Sequence, residues 1–349
     1  MELNKQPVLE NESSADLKKI RKSYSRAELN HAIYSLIALV LTIIASIVIQ
    51  MVKGDEQMSI VMQAMISFVI MYGVSFPVFL LLSKRLPATP PEKHSLSFGK
   101  ILLLFFVSIG MMIVGNFIGI LLNAVMLSLF HISTQDTTLQ ELVFSSQGIL
   151  ISLVAVLCAP IIEEILYRKI LIDRTRRFGE KTAIILSGVM FGLFHGNFTQ
   201  FFYAMFLGML FACVYMRTGK IIYTIILHMM VNFWGSFMPL LTLRGIDSSL
   251  MDSLMNGDTA QLIQLIPQHI SELIPFLFCN VFLTYAMGIV GIVLLFAYFL
   301  KRMRIEPASE PVPKGKRFSV AYINLGFLCF LIVTGVQFVL SISGATNAA

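Results

Sequence analysis

Two adjacent carboxylates, Glu163 and Glu164, sit near the end of an otherwise apolar run, Ala159-Pro160-Ile161-Ile162-Glu163-Glu164-Ile165-Leu166-Tyr167-Arg168. Placing an acidic group at the centre of a membrane helix costs at least roughly 2.5 kcal/mol on insertion scales. A segment that only had to cross a bilayer would not keep two of them, so they read as a functional site. Two later apolar runs supply partners: Phe191 to His195, and His228 to Asn232. On a helix Glu164 and Arg168 share a face and can pair directly. Glu163 is turned by about 100° from Glu164, so the two carboxylates need not do the same job. His228 and Asn232 are again four apart and would face one cavity side by side.

Residues of these types can activate water in two ways. Glu163 can act as a general base with no metal. Alternatively, a divalent ion such as zinc, held by Glu163, His195 and His228, can polarise the water. No H-E-x-x-H occurs in the chain, so the common helical zinc signature is missing. Both readings stay open, as do plainer ones. Glu164–Arg168 equally reads as a structural ion pair, which is compatible with a catalytic Glu163. A single intramembrane histidine, or Asn232, equally reads as an interhelical hydrogen-bonding residue. The combination at matched depth favours chemistry.

The elements that must position these groups are membrane helices. The chain has 349 residues, 56% of them hydrophobic and 13% charged, against about 25% charged in soluble domains. Its apolar runs repeatedly reach the roughly 20 residues that span a bilayer. The fold class is therefore all-α, a polytopic transmembrane bundle of about eight to nine spans. Nine are read, at 29–52, 58–83, 101–130, 148–172, 181–199, 200–216, 221–238, 274–300 and 318–343. The third is long enough to tilt or break near Gly110, Gly115 and Gly119, and Pro77 and Pro160 are kink candidates. At about 1.5 Å per residue, Glu163, His228 and His195 lie about 15, 12 and 21 Å in from their charged helix ends.

The formal charge of +6 does not indicate nucleic acid, because 24 of the 26 Lys and Arg fall in segments on one side of these spans. Only Lys53 and Arg244 fall on the other. The positive-inside rule makes the rich side, with the N-terminus, cytoplasmic. The expected place is the cell membrane, crossed many times.

Four regions follow: a cytoplasmic N-terminal segment at 1–28, three spans at 29–147, a catalytic core at 148–240, and an outer loop with C-terminal spans at 241–349. Proline-rich 86–97 reads as a loop and 305–316 as a linker. Leu250–Ile266 has helix-like spacing and could lie along the membrane surface. The four cysteines sit in apolar runs and read as packing residues. The N-terminus shows no cleavable signal, and the C-terminus carries no cysteine to prenylate.

The order E-E-x-x-x-R, then F-x-x-x-H, then H-x-x-x-N, each on its own membrane helix, resembles the CAAX protease and bacteriocin-processing (CPBP, or Abi) family of intramembrane proteases. The motifs stand here as Glu163 to Arg168, Phe191 to His195 and His228 to Asn232. The resemblance covers about 150–240 in detail, and the other spans fit only as generic helices. It implies a helical-bundle protease with a cavity open to the cytoplasmic side. It further implies that Glu163, helped by His195, activates water, that His228 and Asn232 stabilise the oxyanion, and that Glu164 and Arg168 hold the others in place. The family was named for metalloproteases, and a metal-independent glutamate mechanism is the competing view.

The expected function is thus an intramembrane endopeptidase acting on peptide or membrane-protein substrates of CAAX, leader or pheromone type. A catalytically silent scaffold or bacteriocin-immunity protein is the alternative. A proton-relaying transporter is a third reading, against which stands the lack of an inverted repeat.

Overall fold

A computed structural model describes residues 6–53, 60–130, 143, 147–302 and 305–342. Among them there are helices, turns and irregular segments but no strand. In chain order the helices are α1 (Asp16–Val52, whose helix begins at Gln6), α2 (Met62–Ser83), α3 (Phe98–Phe130), α4 (Gly148–Phe178), α5 (Glu180–Phe194), α6 (Phe198–Thr218) and α7 (Ile221–Leu243). They continue with α8 (Ser248–Asn256), α9 (Thr259–Leu265), α10 (Ile270–Phe299), α11 (Arg317–Tyr322) and α12 (Leu325–Ile342). Eight of these are long and apolar enough to cross a membrane. The protein is a multi-pass helical bundle.

The fifth expected span, 181–199, is not among the eight. It is α5, with 15 residues, or about 22 Å of helix against about 30 Å of hydrocarbon. It stops because Gly196 takes a left-handed conformation (φ 65°) and the Asn197 side chain caps α6 by accepting from the Gln200 amide. The chain then doubles back, so α5 and α6 form a hairpin whose tip holds His195. The two helices approach closely through Gly188, Gly192 and Gly208, where a Cβ would collide with the facing backbone or side chain.

Helix α3 is continuous over 33 residues. It does not break, and its glycines serve close packing: Gly115 and Gly119 lie against the start of α6, and Gly110 against Gly288 and Gly291 of α10. Leu207, Leu210, Phe211 and Val214 of α6 join Leu104, Val107 and Ile109 of α3 and Leu227 and Val231 of α7 in one core. A second core gathers Tyr24 and Tyr34 of α1, Phe79 of α2, Leu166 and Tyr167 of α4, Met190 and Phe191 of α5, and Phe330 of α12. Helix α1 runs along α12, where Gly326 donates its amide to Ser25 Oγ at 3.0 Å. In its described part the 1–28 segment is helical from Gln6 and continuous with α1, and Tyr24, Ala27 and Glu28 are buried.

The segments rich in Lys and Arg meet at one end. The Thr89 amide donates to the Asp173 carbonyl (2.6 Å) and the His94 amide to that of Thr218 (2.8 Å). The expected linker 305–316 is tied down as well. The Glu306 amide donates to Glu180 (2.9 Å), the Glu310 amide to the Arg177 carbonyl (2.9 Å), and Val312 is buried. The expected single helix over 250–266 is two, α8 and α9, because Gly257 (φ 68°) interrupts it. Leu250 and Met251 pack with Leu240, Leu243 and Ile246 in a small core of their own.

Candidate active site

Helix α4 does not stay regular through its motif. After Glu164 it widens into a π turn, Ile165–Ile170, before resuming as α-helix. A π turn shifts backbone bonding from i→i−4 to i→i−5, which frees carbonyls for other partners. Side chains from two other helices lie against them. Ser187 of α5 donates its hydroxyl to the Tyr167 carbonyl at 2.9 Å. His31 of α1 places Nε2 3.2 Å from the Leu166 carbonyl and Nδ1 2.9 Å from that of Ala27. Helix α7 is built alike: His228 and Asn232 end its regular part, and a π turn follows at Phe233–Phe237. Further π turns occur in α2 and α10. The site is therefore marked by the side-chain capture of the α4 turn, not by the turn alone.

The two adjacent carboxylates are unequal. Glu164 is wholly buried and committed. Its Oε2 lies 3.0 Å from Arg168 Nε, the i,i+4 pairing expected from sequence, and its Oε1 3.0 Å from His228 Nδ1. Because a carboxylate only accepts, His228 must carry a proton on Nδ1 to donate here. Glu163 keeps 13% of its side chain exposed, and its Oε2 lies 3.7 Å from His228 Nε2. That is beyond a hydrogen bond but close enough for electrostatic coupling. His228 thus stands between both glutamates.

Arg168 is fully buried. Neither of its terminal nitrogens has a hydrogen-bond partner among the described residues. The guanidinium instead lies over the Phe191 ring, 4.4 Å from its centre, with Phe211 at 5.7 Å. An aromatic face is the substitute acceptor a dry site can offer a cation. Phe191 also receives the edges of both catalytic candidates, His195 at 4.9 Å and His228 at 5.6 Å. The first residue of the F-x-x-x-H motif is therefore the common floor of the site.

His195 is placed by the α5 tip. Its Nδ1 lies 2.8 Å from the Phe191 carbonyl, so Nδ1 carries the proton and Nε2 is left as an acceptor. No ion-pair contact joins His195 to either glutamate among the described residues; their imidazole partner is His228. Asn232 is half-buried, one helical turn beyond His228. The structure thus brings Glu163, Glu164, Arg168 and His228 into direct contact and joins His195 through Phe191.

The metal candidates Glu163, His195 and His228 do not converge as a ligand set. Among the described residues no three His, Cys, Asp or Glu side chains are arranged to hold an ion. His228 Nδ1 is taken by Glu164 and His195 Nδ1 by a carbonyl, which leaves Nε2 of each imidazole as the atom that would meet an ion.

Sequence reasoning missed His31, Ser187 and Phe211. His31 carried a signal, being an ionisable group within an apolar run. Ser187 and Phe211 carried none.

Residues 144–234, which contain all three motifs, match the family model described as type II CAAX prenyl endopeptidase Rce1-like. The chain is also similar to YdiL of Bacillus subtilis (strain 168), a protein named provisionally as a membrane peptidase. The two are 31% identical over 120 residues, which is 33% of this chain and 48% of the relative. The chain thus spans about half the length of the curated relative it matches. No solved structure matches.

Proposed function

We propose, from the premise that the 144–234 segment belongs to the CPBP family, that this protein is an intramembrane endopeptidase with Glu163 as its base. The observation that carries this reading is the inequality of the two carboxylates. Glu164 has both oxygens engaged, whereas Glu163 is partly open and faces an imidazole nitrogen.

In this mechanism Glu163 takes a proton from a water whose oxygen attacks the peptide carbonyl carbon. His195 Nε2, an acceptor by its tautomer, orients the same water. The carbonyl oxygen becomes an oxyanion, and the Asn232 amide, with no hydrogen-bond partner among the described residues, donates to it. Glu163 then returns its proton to the leaving amine as the peptide bond breaks. His228 holds the carboxylates apart in role: its Nδ1 proton keeps Glu164 engaged while Nε2 faces Glu163. This assigns the oxyanion mainly to Asn232 and moves His228 to the side of the base.

The substrates are peptides or membrane-associated proteins, with CAAX-type, leader and pheromone-like sequences as the probes to try. The end where Lys and Arg gather is assigned to the cytoplasm, with the N-terminus.

The test is turnover of such membrane-peptide probes by purified protein in detergent. Glu163→Gln is expected to lower turnover by about 10²- to 10⁴-fold with unchanged thermal stability. Wild-type activity is expected to survive a strong chelator. A Gln variant as active as wild type would remove Glu163 from the chemistry and turn the reading toward a scaffold.

A further inference from the structure

Away from the site, a cleft of about 890 Å³ opens between α5 and the α11–α12 pair. Its walls are apolar, with Ile185 and Val189 on one side and Phe327 and Leu331 on the other. Lys181 and Arg317 also line it, and both belong to the charged end of the bundle. On α5, Lys181, Ile185 and Val189 follow one another at every fourth residue and make a strip about 12 Å long. The strip is turned away from Ser187 and Phe191, which face the site.

The two cations differ from the paired basic groups near them. At this end Lys169 pairs with Asp173, Arg176 and Arg217 with Glu180, and Arg177 with Glu310. Among the described residues no carboxylate pairs with Lys181 or Arg317. Arg317 donates Nε only to the Val312 carbonyl. The Tyr322 hydroxyl, buried and without a partner among the described residues, belongs to the same lining. An apolar slot within membrane helices, opening toward unmatched cations at the membrane end, is complementary to one kind of molecule. It must carry an acyl chain and an anionic head, and basic pockets between membrane helices take such heads.

We propose that this cleft binds one anionic phospholipid, with its phosphate between Lys181 and Arg317 and an acyl chain along Ile185, Val189, Phe327 and Leu331. The lipid would brace the short helix α5 from behind, on the face opposite the one that carries Ser187 and Phe191. This inference does not depend on the protease reading.

The experiment is native mass spectrometry and thermal denaturation of the full chain in detergent, titrated with phosphatidylglycerol, phosphatidylcholine or glycerol 3-phosphate. Phosphatidylglycerol is expected to bind at least about tenfold tighter than phosphatidylcholine, with the preference erased by high salt. Glycerol 3-phosphate is expected to give no shift. The double change Lys181→Gln with Arg317→Gln should bring the two lipids to equal affinity, and Val189→Trp, which fills the slot, should weaken both. Equal affinities in the wild type, or a preference that survives the double change, would overturn the proposal. So would a shift reproduced by glycerol 3-phosphate, which would mean a phosphate site without a chain. The wild-type lipid comparison decides the matter even if a variant fails to fold.

Discussion

Glu164 and Glu180 are both buried carboxylates holding arginines, yet the two clusters are built by different rules. Glu180 sits at the charged end and takes Arg176 at 3.5 Å, Arg217 closer still, and the Glu306 amide. Its arginines remain 23% and 31% exposed, so water can complete their hydrogen bonds. Arg217 also reaches Glu306 at 2.9 Å, which lets one carboxylate tie α5, α6 and the 305–316 segment together. Glu164 and Arg168 have no exposure at all. There, aromatic faces and one imidazole replace water. The same pair of side chains is thus a fastening at the membrane end and a captive, directional charge in the interior. A buried pair of the second kind is weak evidence for stability but strongly resists loss of one partner.

Breaking the interior pair should have the largest effect. Arg168→Ala leaves Glu164 buried without its cation and is expected to remove about 3–5 kcal/mol of stability, read as thermal denaturation in detergent and as reduced abundance. A variant of normal stability would make the two clusters alike. Next comes Asn232, whose side chain has no hydrogen-bond partner among the described residues. Asn232→Ala should lower kcat by about 10²- to 10³-fold, with KM and melting temperature nearly unchanged. A normal kcat per folded molecule, with reduced stability, would return Asn232 to the role of interhelical hydrogen-bonding residue.

A smaller loss should follow Ser187→Ala, which strips the π turn of one captured carbonyl. About 1–3 kcal/mol is expected for the orphaned group, and turnover should fall with it, since the turn carries Arg168. Unaltered turnover at reduced stability would separate the latch from the site. The smallest effect belongs to the charged end. Arg217→Ala should change stability by no more than about 1 kcal/mol, and less in high salt. A loss matching that of Arg168→Ala would mean that the two clusters carry equal weight in the fold.

These differences bear on what a reader of the chain alone can see. The motif residues were legible because charge inside apolar runs is rare and has few purposes. The Glu164–Arg168 pairing followed from helical spacing and is found at 3.0 Å. The shortness of α5 was not legible from hydropathy, since Phe194 and Phe198 are apolar on both sides of the turn. The Gly196–Asn197 pair was the local signal for a break. The glycines of α3 suggested a weak helix, whereas in the bundle they are points of contact with α6 and α10. The π turn left no trace that spacing rules could detect, because those rules assume a constant 3.6-residue period. With the turn unseen, its holders were unseen too: Ser187 looks like any other serine, and His31 marked only the start of an apolar run. The different surroundings of the two neighbouring glutamates follow their angular offset. Which imidazole serves them was not legible, because it depends on how α7 is seated against α4.

The seating of α1 against α12 has a consequence for biosynthesis. Ser25 and Gly326 are 301 residues apart, a stretch that takes about 15 to 60 s to translate at usual rates. Through that interval the first helix waits in the bilayer without its last neighbour, and Glu28, destined for full burial, has no finished enclosure. The His31 contact to the π turn also spans 135 residues, so the nascent chain cannot latch its site until α4 has been made. A chain that stops before residue 325 would leave α1 half-dressed, and quality-control proteases of the membrane would meet it as an unfinished protein.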